Sequence, residues 1–328
     1  MRLAFTAGDH TGSFTDFPVA VVLNESRVDY SHFAAQGQNL RFYDDDQLTL
    51  LPHEVAFWSV SEPSTLWVGV PVLDPAVDED GIWIYFSCTD PAEADAAGVW
   101  DPHYDGVWHL DRDYRDSTSH AADGVETDVD IMQGVQGWAA NFDHDGASLD
   151  LGGDARLREA ATVSLWGKYD ALGAGTGNNT FITCGGPNGS EPDNFQYTLS
   201  ISDERRLVSH WEPEPNVWID VQSDASAGST VGRWHHYVMV RSSETERVRY
   251  HFDGEPLGAE QTYAAPPSGG GSGRVWLGNT PIEASPWWLD GSVDEVRLTR
   301  EQLSAAWVRV EFQSATDALI DYGVVESR

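Results

Sequence analysis

Lysine is almost absent from this chain. Lys168 is the only one among 328 residues, so the 19 basic positions are otherwise arginine, and they stand against 53 acidic ones. A net charge of −34 repels phosphate backbones and anionic headgroups, which argues against nucleic-acid or membrane-surface binding. Cysteine is equally sparse. Cys88 and Cys184 cannot build a disulfide framework, neither has a metal-ligand spacing around it, and both are expected to be free, buried thiols. No apolar run approaches the roughly 20 residues needed to cross a bilayer, and no charged-then-apolar leader opens the chain, so the chain as given is expected to be soluble. A Gly-rich phosphate loop, a Ser-His-Asp arrangement and a Cys/His zinc spacing are all missing.

What is present begins with acid. One use of so many carboxylates is a salt-adapted surface, which stays soluble where the Debye length shrinks to about 3 Å at 1 M salt. The other is to hold calcium. The length exceeds the usual single-domain size and points to two domains.

Short segments rich in β-branched and aromatic residues recur between Gly, Pro, Asp and Ser: Val19 to Leu23, Leu66 to Leu73, Ile82 to Phe86, Tyr197 to Ile201, Trp234 to Val240 and Val248 to Phe252. They predict an all-β chain. From Arg247 to Phe252 a period-two alternation runs into Asp253-Gly254, a pair that tolerates positive φ and marks a hairpin. One helix is expected, from about Glu301 to Gln313. Thr299 to Gln302 has capping-box spacing ahead of it, and Leu303, Ala306, Trp307 and Val310 fall on one face that should pack against a β-sandwich.

The stretch Leu289-Asp290-Gly291-Ser292-Val293-Asp294-Glu295-Val296-Arg297-Leu298 joins an apolar-patterned strand directly to that helix. It resembles the closing strand of the laminin-G-like, concanavalin-A-like jelly roll. Val163-Ser164-Leu165-Trp166 and Trp234-His235-His236-Tyr237 match further landmarks of that family, and the resemblance extends from Gly106 to the end of the chain. Ahead of it, Asp16-Phe17-Pro18-Val19, Leu40-Arg41-Phe42-Tyr43-Asp44, Leu51-Pro52-His53-Glu54, Leu66 to Pro71, Ile82 to Phe86 and Val99-Trp100-Asp101 occur in order and resemble the DUF2341 family. The implied architecture is two β-sandwich domains. The first is a DUF2341-like sandwich over 1–105, and the second is a concanavalin-A-like jelly roll over 106–328 with one short C-terminal helix.

In many members of the jelly-roll family an acidic loop and the aspartate of the closing strand bind calcium, and the resemblance carries this role to Asp116, Asp123 and Asp294. The middle of the loop departs from the family pattern, with Ser119, His120, Ala121 and Ala122 in place of Gly and Asn. The alternative is that Asp116 and Asp123 cap turns through bonds to backbone N–H groups. Sugar rings stack on exposed aromatic faces, which makes Trp211, Trp218, Trp287 and Trp288 the candidate ligand-binding residues, although most of the 14 tryptophans are expected in cores. Glu126, Asp128 and Asp130 alternate as if on one strand face and are the acids a glycan-cleaving enzyme would use. His235 and His236 are expected to be structural.

The function expected is non-catalytic binding or adhesion. An extracellular or cell-surface module would recognise a glycan or a cell-surface protein with calcium support, as a monomeric fragment of a larger chain. A glycoside hydrolase and a non-binding spacer are the alternatives. No catalytic residue is assigned on the binding reading.

Overall fold

The computed structural model describes residues 1–6, 12–74, 80–86, 94–143, 146–171, 178–185, 195–214, 217–228, 230–265, 273–278 and 289–326. Strands dominate, and of the six strand-like segments read from the sequence four fall within a strand while Ile82 to Phe86 and Trp234 to Val240 each overrun theirs by one residue. The chain divides into two compact units. One comprises Met1–His103 together with Ala306–Arg328, and the other Tyr104–Ala305.

The first unit holds a five-stranded and a three-stranded sheet. In the three-stranded sheet the central strand Ser64–Leu73 pairs with Phe14–Leu23 on one side and His53–Phe57 on the other. Proline donates no ladder hydrogen bond. Pro18 accordingly lies in an edge strand, and Pro71 lies beyond the stretch 65–68 paired with His53–Phe57. The tryptophans Trp67 and Trp100 meet in the core with ring centroids 5.1 Å apart, and the Trp100 indole N–H donates to Glu54 Oε2 at 2.6 Å.

The C-terminal segment completes this unit, which differs from the sequence expectation in two respects. The helix runs over Ala305–Ala315, and its Trp307 packs on Phe17, Phe14 and His103 at centroid distances of 4.6, 5.8 and 4.6 Å. It therefore packs on the N-terminal strands of its own unit. Thr299 does not open a capping box either. It ends a buried strand, and its hydroxyl accepts from the Glu301 N–H at 2.9 Å. The physical reason is an edge in need of partners. On the edge strand Phe14–Leu23, the Ala20 N–H donates to the Ser314 hydroxyl at 2.7 Å and the Val22 N–H to the Tyr322 hydroxyl at 2.8 Å. The strand Ile320–Tyr322 then pairs antiparallel with Arg2–Phe5, Leu3 opposite Tyr322.

The second unit has a nine-stranded and a seven-stranded sheet with a shared apolar core. The nine-stranded sheet contains the predicted hairpin, with Asp253 at φ 49° and Gly254 at φ 79° joining Arg247–Phe252 to Glu255–Pro256. Its strand Gly291–Thr299 is buried at every position and carries the family signature. A bulge there, with Glu295 at φ 49°, sets Glu295 and Val296 against the single residue Leu165 of Thr162–Tyr169. Val293, Val296 and Leu298 all reach the core because of it, although the three-residue step from Val293 to Val296 breaks simple alternation. Opposite, the seven-stranded sheet has the order Val217–Gln222, Leu207–Glu214, Tyr197–Ser202, Asn178–Gly185, Arg274–Gly278, Ser148–Gly152, Val125–Thr127. Cys184 sits in this core as a free thiol, and burial pushes it up to about 12. Cys88 lies outside the described residues.

Candidate functional site

Parity along two paired strands decides which tryptophan is available. Leu207, Ser209 and Trp211 point inward, and Trp211 packs edge-on against Tyr263 at 4.6 Å while its indole N–H donates to the Ala265 carbonyl. Trp211 is therefore a core residue, which removes it from the candidate ligand-binding set. The neighbouring edge strand Val217–Gln222 sends Ile219 and Val221 to the same core, so Trp218, Asp220 and Gln222 stand on the opposite face. Trp218 is 48 % exposed.

The exposed indole is held from behind. Its ring centroid lies 4.4 Å from that of His210 and 5.8 Å from that of buried Phe195. His210 is itself fixed, with Nδ1 2.6 Å from Asp220 Oδ1. Beside this platform Asn178, Ser202, Asp203, Glu204, Val208, Asp220 and Gln222 line an open groove of about 380 Å³. That volume is within the range of small-molecule sites, and an indole on the same strand face as Asp220 and Gln222, beside hydroxyl, amide and carboxylate groups, is a composition suited to a sugar. Trp287 and Trp288 lie outside the described residues.

Sequence reading missed His210, Asp220 and the groove lining. The signal available was the period-two set Trp218-x-Asp220-x-Gln222, opposite in parity to Ile219 and Val221.

The three aspartates proposed for calcium are engaged by the protein itself. Asp116 is buried, and its two oxygens accept from Val107 N–H, Thr118 N–H, Ala122 N–H and the Thr118 hydroxyl at 2.9 to 3.0 Å. Its own N–H donates to Asp123 Oδ1 at 3.0 Å, so this pair organises the loop 116–123 in the manner of turn-capping aspartates. Asp294 is held elsewhere. Its oxygens accept from the N–H groups of Val135, Gln136 and Glu295 at 2.7, 3.3 and 2.9 Å, and a Cβ on Gly134 would lie 2.4 Å from Oδ2. Burial, and then the Glu295 carboxylate, push Asp294 well above the ordinary carboxylate range. A calcium shell needs six to eight ionised or carbonyl oxygens free to turn toward the cation, and Asp116 and Asp294, whose oxygens are turned to N–H and O–H donors, do not fit one, while Asp123 is exposed with Oδ1 turned to the Asp116 N–H. Among the described residues no group of three or more His, Cys, Asp or Glu side chains is placed to hold a metal ion.

The Asp-Glu pair of the closing strand instead anchors a buried polar network. Glu295 accepts from Arg297 at 2.7 Å and meets His109 Nδ1 at 2.8 Å, all three being buried. Nearby, burial pushes Asp111 up to about 6 against the lowering effect of the Trp138 N–H.

The acids proposed for hydrolysis do not share a strand face. Val125–Thr127 pairs with Ser148–Gly152 in one sheet, the chain turns at Asp128 with φ 50°, and Asp130–Gln133 joins the other sheet. Glu126 and Asp130 are thus on strands of different sheets. His235 Nδ1 lies 2.8 Å from Asp253 Oδ2, and His236 Nε2 lies 2.8 Å from the Ser164 hydroxyl, so one ring is tied to the Asp253-Gly254 turn and the other to the strand Thr162–Tyr169.

The architecture has a counterpart at the level of family. A family model described as the concanavalin A-like lectin/glucanases superfamily, of the laminin-G type, matches residues 143–309. The chain belongs to that superfamily. Among solved structures this superfamily member is similar to Trypanosoma rangeli sialidase, at 15% identity over 77% of this chain and 41% of that one, with a TM-score of 0.50. It is also similar to domain 4 of AbnA, an extracellular GH43 arabinanase from Geobacillus stearothermophilus, at 19% identity over 63% and 97% of the two chains, with a TM-score of 0.48. A third is the Ruminococcus gnavus IT-sialidase CBM40, at 15% identity over 48% and 84%, with a TM-score of 0.40. At such identities the likeness is one of fold. No curated protein matches the chain.

Proposed function

We propose that this chain is a non-catalytic glycan-binding module, and that sugar is bound on the outer face of the seven-stranded sheet. Trp218 supplies the stacking platform, and the groove beside it supplies hydrogen-bonding partners. One observation carries the reading: an exposed indole, braced by His210 and Asp220, borders a polar groove of about 380 Å³ on a lectin-type sandwich. An extracellular setting suits a polysaccharide ligand, and the six ordered motifs of the first unit give it the place of a DUF2341-like companion. Affinity electrophoresis through gels containing soluble polysaccharides tests the proposal. Retardation by at least one glycan, lost in Trp218→Ala without a change in melting temperature, supports it. Equal retardation of the Trp218→Ala variant, release of reducing sugar, or no retardation by any glycan would each sink it.

A further inference from the structure

The charge of the groove carries a second conclusion, which rests on the glycan-binding reading. Of its lining residues, Asp203, Glu204 and Asp220 are carboxylates, Asn178, Ser202 and Gln222 are neutral polar, and Val208 is apolar. Proteins that recognise carboxylate- or sulfate-bearing ligands generally do so with arginine or lysine, whose N–H groups match the anion. Among the described residues neither lines this groove.

Two cations of this unit are engaged by other groups. Arg206 is drawn to Glu204 Oε2 at 3.3 Å and to the Ser223 carbonyl at 2.7 Å. Arg274, outward on its strand because Val275 and Leu277 face the core, donates to both oxygens of Asp150 at 2.7 and 2.9 Å. An anionic sugar entering the groove would meet three carboxylates with no uncommitted counter-charge among the lining residues, in the field of a chain of net charge −34.

We infer that the groove selects uncharged glycans and rejects uronate-, sialate- or sulfate-bearing ones. A neutral sugar needs only the indole face and the amide, hydroxyl and carboxylate groups, since a carboxylate accepts well from sugar hydroxyls. Its affinity is then insensitive to salt, whereas any residual binding of an anionic sugar strengthens as salt screens the repulsion.

The test uses the full chain and pairs of glycans that differ in charge: galactan against polygalacturonate, and lactose against sialyllactose. Binding is measured by affinity electrophoresis for the polymers and by calorimetry for the oligosaccharides, at low and high NaCl. The expected result is that any bound pair favours its neutral member by about tenfold or more. In the double variant Asp203→Asn, Glu204→Gln, which removes two exposed carboxylates and frees Arg206, that preference narrows to about threefold or less. A melting curve confirms that the variant is folded. Equal or tighter binding of the anionic member, abolished by Trp218→Ala, overturns the selectivity while leaving the glycan site standing. An undiminished preference in the folded double variant also overturns it. Binding of neither member of any pair, or binding unaffected by Trp218→Ala, overturns both the site and its selectivity.

Discussion

The Arg27 guanidinium grips Asp317 with two parallel hydrogen bonds of 2.7 and 3.1 Å, across 290 residues of chain. Its carbon also lies 3.6 Å from the centroid of the Tyr322 ring, and the same guanidinium donates to the Val22 carbonyl at 2.7 Å. One side chain thus ties the edge strand of the first unit to the segment that returns to it. Arg27→Ala should destabilise this unit by about 1–2 kcal/mol, and Arg27→Lys should not restore it, because an ammonium cannot make the paired contact. Urea unfolding followed by tryptophan fluorescence measures both.

Deletion of residues 306–328 should remove the first unit's melting transition altogether. It strips Trp307 from Phe14 and Phe17 and leaves the Ala20 and Val22 N–H groups without the Ser314 and Tyr322 hydroxyls. Calorimetry of a 104–305 fragment should still show a cooperative transition, since both jelly-roll sheets lie within it. Loss of that transition would count against the division.

Trp211 and Trp218 should separate stability from binding. Trp211→Ala empties a core site and is expected to cost about 3–5 kcal/mol. Trp218→Ala should leave the melting point nearly unchanged and weaken glycan binding by at least about thirtyfold, the scale of an aromatic hot spot. Chemical denaturation and affinity electrophoresis on the two variants give the contrast.

Asp111 predicts a pH dependence. Its folded carboxyl holds a proton to about pH 6, whereas the unfolded side chain releases it near 3.8, so the folded state binds the extra proton between those values. Stability contributed by this group therefore falls as pH rises from 3.8 to about 6, and remains lower above it. Asp111→Asn keeps an acceptor for the Trp138 N–H and should stabilise the protein at pH 7 by about 1 kcal/mol, discounted for partial exposure, with little effect at pH 4. Melting curves across that range decide it.

Calcium gives a further test. With Asp116 saturated by protein donors, Asp116→Ala should destabilise by at least about 2 kcal/mol by orphaning buried N–H groups, and to the same extent in EDTA as in calcium. A calcium-specific rise in melting temperature that vanishes in the variant would reinstate the metal site.

The features legible in the sequence were those whose chemistry is local. Asp253-Gly254 reads as a hairpin because both residues adopt positive φ where the turn requires it. The helix around Trp307 was legible as an amphipathic face, but such a face does not name its partner, and the partner proved to be Phe14 and Phe17 near the other end of the chain. Glu126, Asp128 and Asp130 alternate in sequence, yet a positive φ at Asp128 breaks the strand between them. For the candidate site, Trp211 and Trp218 were indistinguishable until strand register assigned each a face.

The pairing of Arg2–Phe5 with Ile320–Tyr322 places residues 2 and 323 side by side, with the Gly323 N–H donating to the Arg2 carbonyl at 2.9 Å. Tension applied to these two points would peel the strands apart one hydrogen bond at a time, starting at that contact. The lectin-type sandwich lies within the intervening loop of chain and carries no load until this zipper has opened. Tension between these two points would thus reach the first unit before the groove beside Trp218.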